Sequence, residues 1–255
     1  MAFIPLHDKN PRVLVARPWV TWGLILVCSA VFAVQVSAAA PAGHRLVYSL
    51  GLIPATLTGE AELSPDVRLV WPVLTLVSYM FLHGGFLHLA GNMLFLWVFG
   101  DNIEDAMGHR RFIVFFLLGG ALAGLVQVMV DPPSRVPTIG ASGAVAAVLG
   151  AYLILHPRAR ILVPIFIFPV YLPAYILLVL WIAFQVITAL SGGGGGVAWW
   201  AHIGGFIAGA LLIVPFRHNS IPLFGADDLP SGITLRSRFA RRRRPGDGDR
   251  KGPWE

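Results

Sequence analysis

Charge is the scarcest commodity in this 255-residue sequence: 13% of residues are Asp, Glu, Lys or Arg, against 56% hydrophobic. Soluble domains carry roughly a quarter charged residues, so this composition excludes a water-soluble fold and makes the bilayer the solvent. Cysteine is almost absent. The single Cys28 excludes an internal disulfide and says nothing more about compartment. Acidic residues inside the apolar runs are missing too, which removes the proton relay expected of a transporter. Neither an inverted repeat nor a matched pair of broken helices is present to revive that reading.

What the sequence does have is a series of apolar runs. A crossing helix needs about 20 mostly apolar residues, and six candidates lie near 19–40, 85–100, 111–130, 141–155, 173–190 and 199–216. The second and fourth are short and carry polar residues. Pro164, Pro169 and Pro173 interrupt the approach to the fifth, so 161–172 is expected to be irregular or interfacial. All but three of the Lys and Arg (Arg45, Arg68 and Arg135) fall on one side if the chain starts inside. The positive-inside rule therefore predicts both termini cytoplasmic, as in a bacterial plasma membrane. The segment Lys9, Arg12, Arg17, then the run 19–36, then "SAAAPAG" resembles a cleavable signal peptide, but its apolar run is long for one and is read as the first span.

Parity then brings polar residues together. Spans two, four and six all enter from the outer face, and each holds its unusual polar residues in its first two turns: His88 and Asn92, Ser142, and His202. Packing alone rarely places three such segments at one depth. A serine inside lipid can merely bond back to a carbonyl one turn earlier, and that is the plain alternative for Ser142. His88 and Asn92, at i and i+4, share a face and can both donate to a small anion. On span six, Gly205 and Gly209 leave the face of His202 bare, so a helix of small residues such as 140–151 can approach it closely. A serine hydroxyl becomes a nucleophile when a neutral imidazole takes its proton. With no carboxylate nearby, a Ser142–His202 dyad is expected, with the Ser142 N–H, Asn92 and His88 around the oxyanion.

These segments resemble those of the rhomboid intramembrane serine proteases, over roughly residues 68–214. "FLHGGFLHLAGN" resembles the family's His-rich entry to its second helix, "GASGA" its nucleophile motif and "AHIGGFIAGA" its base-bearing sixth helix; "GDNIEDAMG" resembles the Glu-bearing end of the second helix. The resemblance implies an all-α, polytopic six-helix bundle over 19–216, preceded by a cytoplasmic segment 1–18. It implies cleavage of single-pass transmembrane substrates by Ser142 and His202, with His88 and Asn92 at the oxyanion and neither cofactor nor metal. Two features depart from the family pattern. "VWPVLT" lacks the arginine of a Trp-Arg pair in the first outer loop, and Ala146 stands where an aromatic would stack on the catalytic ring, leaving the residue that orients His202 unnamed.

The competing functions are a catalytically inactive rhomboid-like membrane chaperone and a secondary transporter. His83 is expected to support the site or to be an interfacial histidine. Glu104 is expected in a cytoplasmic ion-pair network with Arg110 and Arg111, and Trp199 and Trp200 at the outer interface. "SGGGGG", 191–196, reads either as a movable cover or as a plain linker. The tail 217–255, with Arg241 to Arg244 among Pro and Gly, reads as disordered and as a ligand for anionic lipid rather than nucleic acid.

Overall fold

The computed structural model describes residues 3–10, 12–38, 40–192 and 196–225. Its helices are α1 (Trp19–Ser37), α2 (Ala40–Leu50), α3 (Pro54–Thr58), α4 (Thr75–Ser78), α5 (Phe86–Met107), α6 (His109–Val130), α7 (Ser142–Leu155), α8 (Ala174–Leu190) and α9 (Trp199–Phe216). α1, α6 and α9 are long and apolar enough to cross a membrane. A fourth crossing exists if Pro72–Phe81 and α5, bent by 83°, form one broken span. α7 and α8, with 14 and 17 residues, fall short of the usual crossing length. Length alone therefore supports three or four of the six expected spans. The molecule is mostly helical and an integral membrane protein.

α7 is the hub of the bundle. Every residue from Gly143 to Tyr152 is buried, which a helix achieves only when other helices cover it all round. Its small residues let the neighbours approach to backbone contact. A Cβ at Gly205 would collide with the Gly143 carbonyl, one at Gly209 with the Ala147 carbonyl, and one at Gly150 with the Phe206 carbonyl. α6 packs with the same logic: a side chain at Gly119 would meet Ala147, and one at Gly120 would meet Met80 and Ala144.

The stretch 161–172, expected to be irregular or interfacial, is not irregular: it lies in a β-hairpin. β2 (Arg160–Ile165) and β3 (Phe168–Pro173) pair antiparallel, and β1 (His7–Asp8) adds to β2. The prolines are tolerated because of where they fall in the ladder. A two-residue loop makes Ile165 and Phe168 the first hydrogen-bonded pair. The register Pro164↔Pro169 and Arg160↔Pro173 then falls at pairs that exchange no cross-strand hydrogen bonds. Phe166 and Ile167 at the tip are 95% and 85% exposed.

Glu104 also departs from expectation. Its carboxylate accepts the backbone N–H of Val20 (3.0 Å) and Thr21 (2.7 Å) and the Thr21 hydroxyl (2.7 Å), and it contacts His109 rather than the two arginines. Pro18 offers α1 no side-chain cap, so Glu104 satisfies N–H groups that the first helical turn leaves unpaired. Arg111 donates to the carbonyls of Phe216 and Arg217, at 3.3 and 3.4 Å, while Arg110 is exposed. Next to Glu104, Asp105 accepts three successive N–H groups from Val13, Leu14 and Val15, at 2.7, 2.7 and 2.5 Å. Arg12 pairs with Asp101 at 2.8 Å. Asp8 is buried, and its Oδ2 accepts from Asn102 and from the Tyr152 hydroxyl, both at 2.7 Å. Burial pushes its pKa up to about 7 against the opposing effect of those hydrogen bonds. The tail beyond 225 and glycines 193–195 of the proposed cover lie outside the described residues.

Candidate active site

The site forms where the strap before α7 meets the starts of α5 and α9. The strap is held at two points. Thr138 and Leu52 exchange backbone hydrogen bonds at 2.8 and 3.0 Å, and the Gly140 N–H donates to the Tyr79 carbonyl at 2.9 Å. The Tyr79 hydroxyl in turn donates to the Gly120 carbonyl of α6 at 2.7 Å. Gly140 has φ +121, a conformation that side-chain-bearing residues avoid. Its missing side chain leaves room for His88, since a Cβ there would stand 2.7 Å from both Cε1 and Nε2 of the imidazole. Ala141 then caps α7, and Ser142 is its first residue. The Ser142 N–H is thus one of the donors a helix start leaves without an internal partner.

α9 presses its glycine face against α7, and His202 lands on the serine: Nε2 lies 2.8 Å from Ser142 Oγ. Both residues are partly buried rather than sealed. The other ring nitrogen, Nδ1, lies 2.7 Å from Gln185 Oε1 on α8. The rings of Trp181 and Trp199 flank the imidazole, each with its centroid 6.1 Å away. A hydroxyl held against one imidazole nitrogen, with the other nitrogen engaged, is the arrangement that activates a serine.

His88 faces Gly140 of the strap, and Asn92 stands one turn further along α5. Asn92 is 3% exposed, and its Nδ2 donates to the carbonyl of His88 at 2.9 Å, within its own helix. One N–H of that amide is therefore occupied and one is left. His88 Nδ1 accepts the Gly84 N–H at 3.3 Å, which assigns its proton to Nε2, the atom facing Gly140. His83 is buried with both ring nitrogens lacking a hydrogen-bond partner among the described residues, and its ring meets His88 edge-on at 5.3 Å. Its backbone is clamped by Gln35, which accepts the His83 N–H at 3.0 Å and donates to its carbonyl at 3.3 Å. Trp199 opens α9, where the interface residues are expected.

Sequence reasoning missed Gln185, Gln35 and Tyr79. A signal exists for Gln185: it is a lone amide in the apolar run 174–190, and polar residues at membrane depth default to function. The same signal marks Gln35, the lone amide of the first apolar run, whereas nothing local marks Tyr79, whose partner is a backbone carbonyl 41 residues away.

Comparison with known proteins agrees with the geometry. Residues 70–219 match the Rhomboid domain, a stretch from the turn before α4 through the end of α9. Rhomboid protein 1, mitochondrial, of Saccharomyces cerevisiae is 32% identical over 147 residues, 54% of this chain and 40% of that protein. RHOMBOID-like protein 12, mitochondrial, of Arabidopsis thaliana is 32% identical over 160 residues, covering 56% of this chain and 46% of the relative. The human presenilin-associated rhomboid-like protein, mitochondrial, is 28% identical over 190 residues, 71% of this chain and 48% of its own length. The chain spans less than half the length of these relatives. With more than half of its residues inside one domain match, the chain belongs to the rhomboid family.

Proposed function

We propose that this protein is an intramembrane serine endopeptidase that cuts single-pass transmembrane substrates near the extracytoplasmic face. One observation carries the reading: the 2.8 Å contact between Ser142 Oγ and His202 Nε2. In this chemistry His202 takes the hydroxyl proton as Ser142 attacks the scissile carbonyl, then returns it to the leaving amine. Water hydrolyses the acyl-enzyme by the same route. The negative charge of the tetrahedral intermediate is met by the Ser142 N–H, the free N–H of Asn92 and His88 Nε2–H. A substrate helix hides its carbonyls in its own hydrogen bonds, so it must unwind locally, and a small residue at the cut with Gly or Pro nearby favours that.

The proposal includes six crossings with both termini cytoplasmic in a bacterial plasma membrane, with α7 and α8 as short spans shielded by their neighbours. The mitochondrial location in the relatives' names belongs to those proteins. The basic tail is proposed to contact anionic lipid. Replacing Ser142→Ala or His202→Ala is expected to abolish cleavage of a transmembrane substrate and labelling by a serine-directed phosphonate while leaving a folded membrane protein. An inactive chaperone or a transporter would not label in the wild type, and full cleavage by Ser142→Ala would overturn the mechanism.

A further inference from the structure

A neutral imidazole carries one proton on either of two nitrogens, and only one choice serves a serine. If Nε2 holds the proton, it donates to Ser142 Oγ and the hydroxyl has nowhere to send its own. If Nδ1 holds it, the Nε2 lone pair faces the hydroxyl. What selects Nδ1 in other serine hydrolases is a carboxylate, but a carboxylate at membrane depth is costly, and among the described residues none is hydrogen-bonded to His202. No ring stacks from α7 either, since Ala146 occupies that position.

α8 supplies the missing partner. Thr188 spends its hydroxyl on the Phe184 carbonyl of its own helix, at 2.8 Å. Gln185 reaches across to α9 instead. It is 3% exposed, and its Oε1 stands 2.7 Å from His202 Nδ1. One turn earlier on the same face, Trp181 lies tilted 34° beside the imidazole, so α8 offers both a wall and an acceptor.

We infer that Gln185 is a positioning residue for His202: its Oε1 accepts the Nδ1–H and so holds the imidazole with the Nε2 lone pair toward Ser142. This rests on the dyad reading above. When the serine proton moves to Nε2, the Nδ1–H stays where it is and its hydrogen bond becomes charge-assisted, hence stronger. The amide thus supports the transition state more than the resting enzyme, and its removal acts on kcat rather than on substrate binding.

The test compares Gln185→Met, which keeps length and volume without an acceptor oxygen, with Gln185→Glu, which keeps the acceptor. Both are assayed as full-length protein in liposomes on a transmembrane substrate. Met is expected to lower kcat about 10- to 100-fold, the scale of loss when an outer partner of a metal-bound imidazole is removed, with KM unchanged and the protein still folded. Glu, kept protonated at that depth and still offering its carbonyl oxygen, is expected to stay within about threefold of wild type. Unchanged kcat in Gln185→Met, or equal losses in Met and Glu, would overturn the inference, the second outcome marking a packing role. Should the Met variant not fold, ¹⁵N-histidine spectra of the wild type, with His202 assigned by difference against His202→Gln, decide the matter. Protonated Nδ1 supports the inference and protonated Nε2 overturns it. Cleavage retained by Ser142→Ala in the same liposomes would sink the dyad reading itself, a failure distinct from that of Gln185.

Discussion

At the scale of single residues, the site is a set of side chains each held by a partner outside its own helix or by its own backbone. Ser142 is set by a strap that two backbone links tie to Leu52 and Tyr79, and His202 by an amide from α8. Asn92 is of the second kind, because its amide is pinned to the carbonyl four residues earlier in its own helix. That bond orients the remaining N–H without consuming it. Asn92→Ala should therefore lower kcat by about 10²–10³, the usual loss for one oxyanion donor, and leave KM nearly unchanged. Steady-state kinetics on a transmembrane substrate make the comparison, and a loss confined to KM would remove Asn92 from the oxyanion. The meeting of Ser142 with His202 is legible in the sequence because polar residues stand out against an apolar run, and parity sorts these two to one depth. Gln185 stands out in the same way, but a single amide without a motif names no partner, and only the fold shows which ring it meets.

At the scale of elements, the site depends on how closely α9 can approach α7. Gly209 is the critical point, since a Cβ there would strike the Ala147 carbonyl, which is backbone and cannot rotate away. Gly209→Ala should push the helices apart. It should cost about 1–3 kcal/mol, as overpacking does, and reduce phosphonate labelling of Ser142 by more than tenfold, although residue 209 lies two turns from His202. Measuring thermal unfolding and labelling on the same sample tests it, and normal labelling with normal unfolding would show that the contact has slack. The glycine face is readable from spacing alone. The β2–β3 hairpin is not, because its prolines break the alternation that identifies strands, and their harmless register appears only once the strands are paired. The role of Glu104 is hidden for a related reason. Sequence displays nearby arginines, whereas the partners are His109 and, more than 80 residues earlier, the backbone N–H groups of Val20 and Thr21 and the Thr21 hydroxyl.

At the scale of the whole molecule, the N-terminal segment lies outside the Rhomboid domain match yet is tied to the end of α5 remote from His88, by carboxylates of α5 and by Asp8. Asp8 reaches Tyr152, on the same helix that begins at Ser142, so the segment is anchored to the hub from the side opposite the site. The buried carboxyl has its pKa raised by burial from 3.8 to about 7. A group with a raised folded pKa binds its proton more tightly when docked. Its contribution is full below about 3.8 and is lost as pH rises through 7. Between those limits, stability should fall by up to about 1.4 kcal/mol per pH unit. Asp8→Asn keeps an oxygen to accept from Asn102 and Tyr152 but cannot ionise. Thermal unfolding followed from pH 5 to pH 8 should show the wild type losing stability relative to the variant as pH rises, with a difference that levels off above pH 7. Parallel curves would mean that Asp8 titrates alike in both states and that burial does not govern it. Because the anchor is remote from Ser142, the phosphonate labelling rate at a fixed pH where both proteins are folded should match between wild type and Asp8→Asn. A shared loss of labelling and stability would instead mean that the Asp8 anchor sets the position of α7, and with it the alignment of Ser142 against His202.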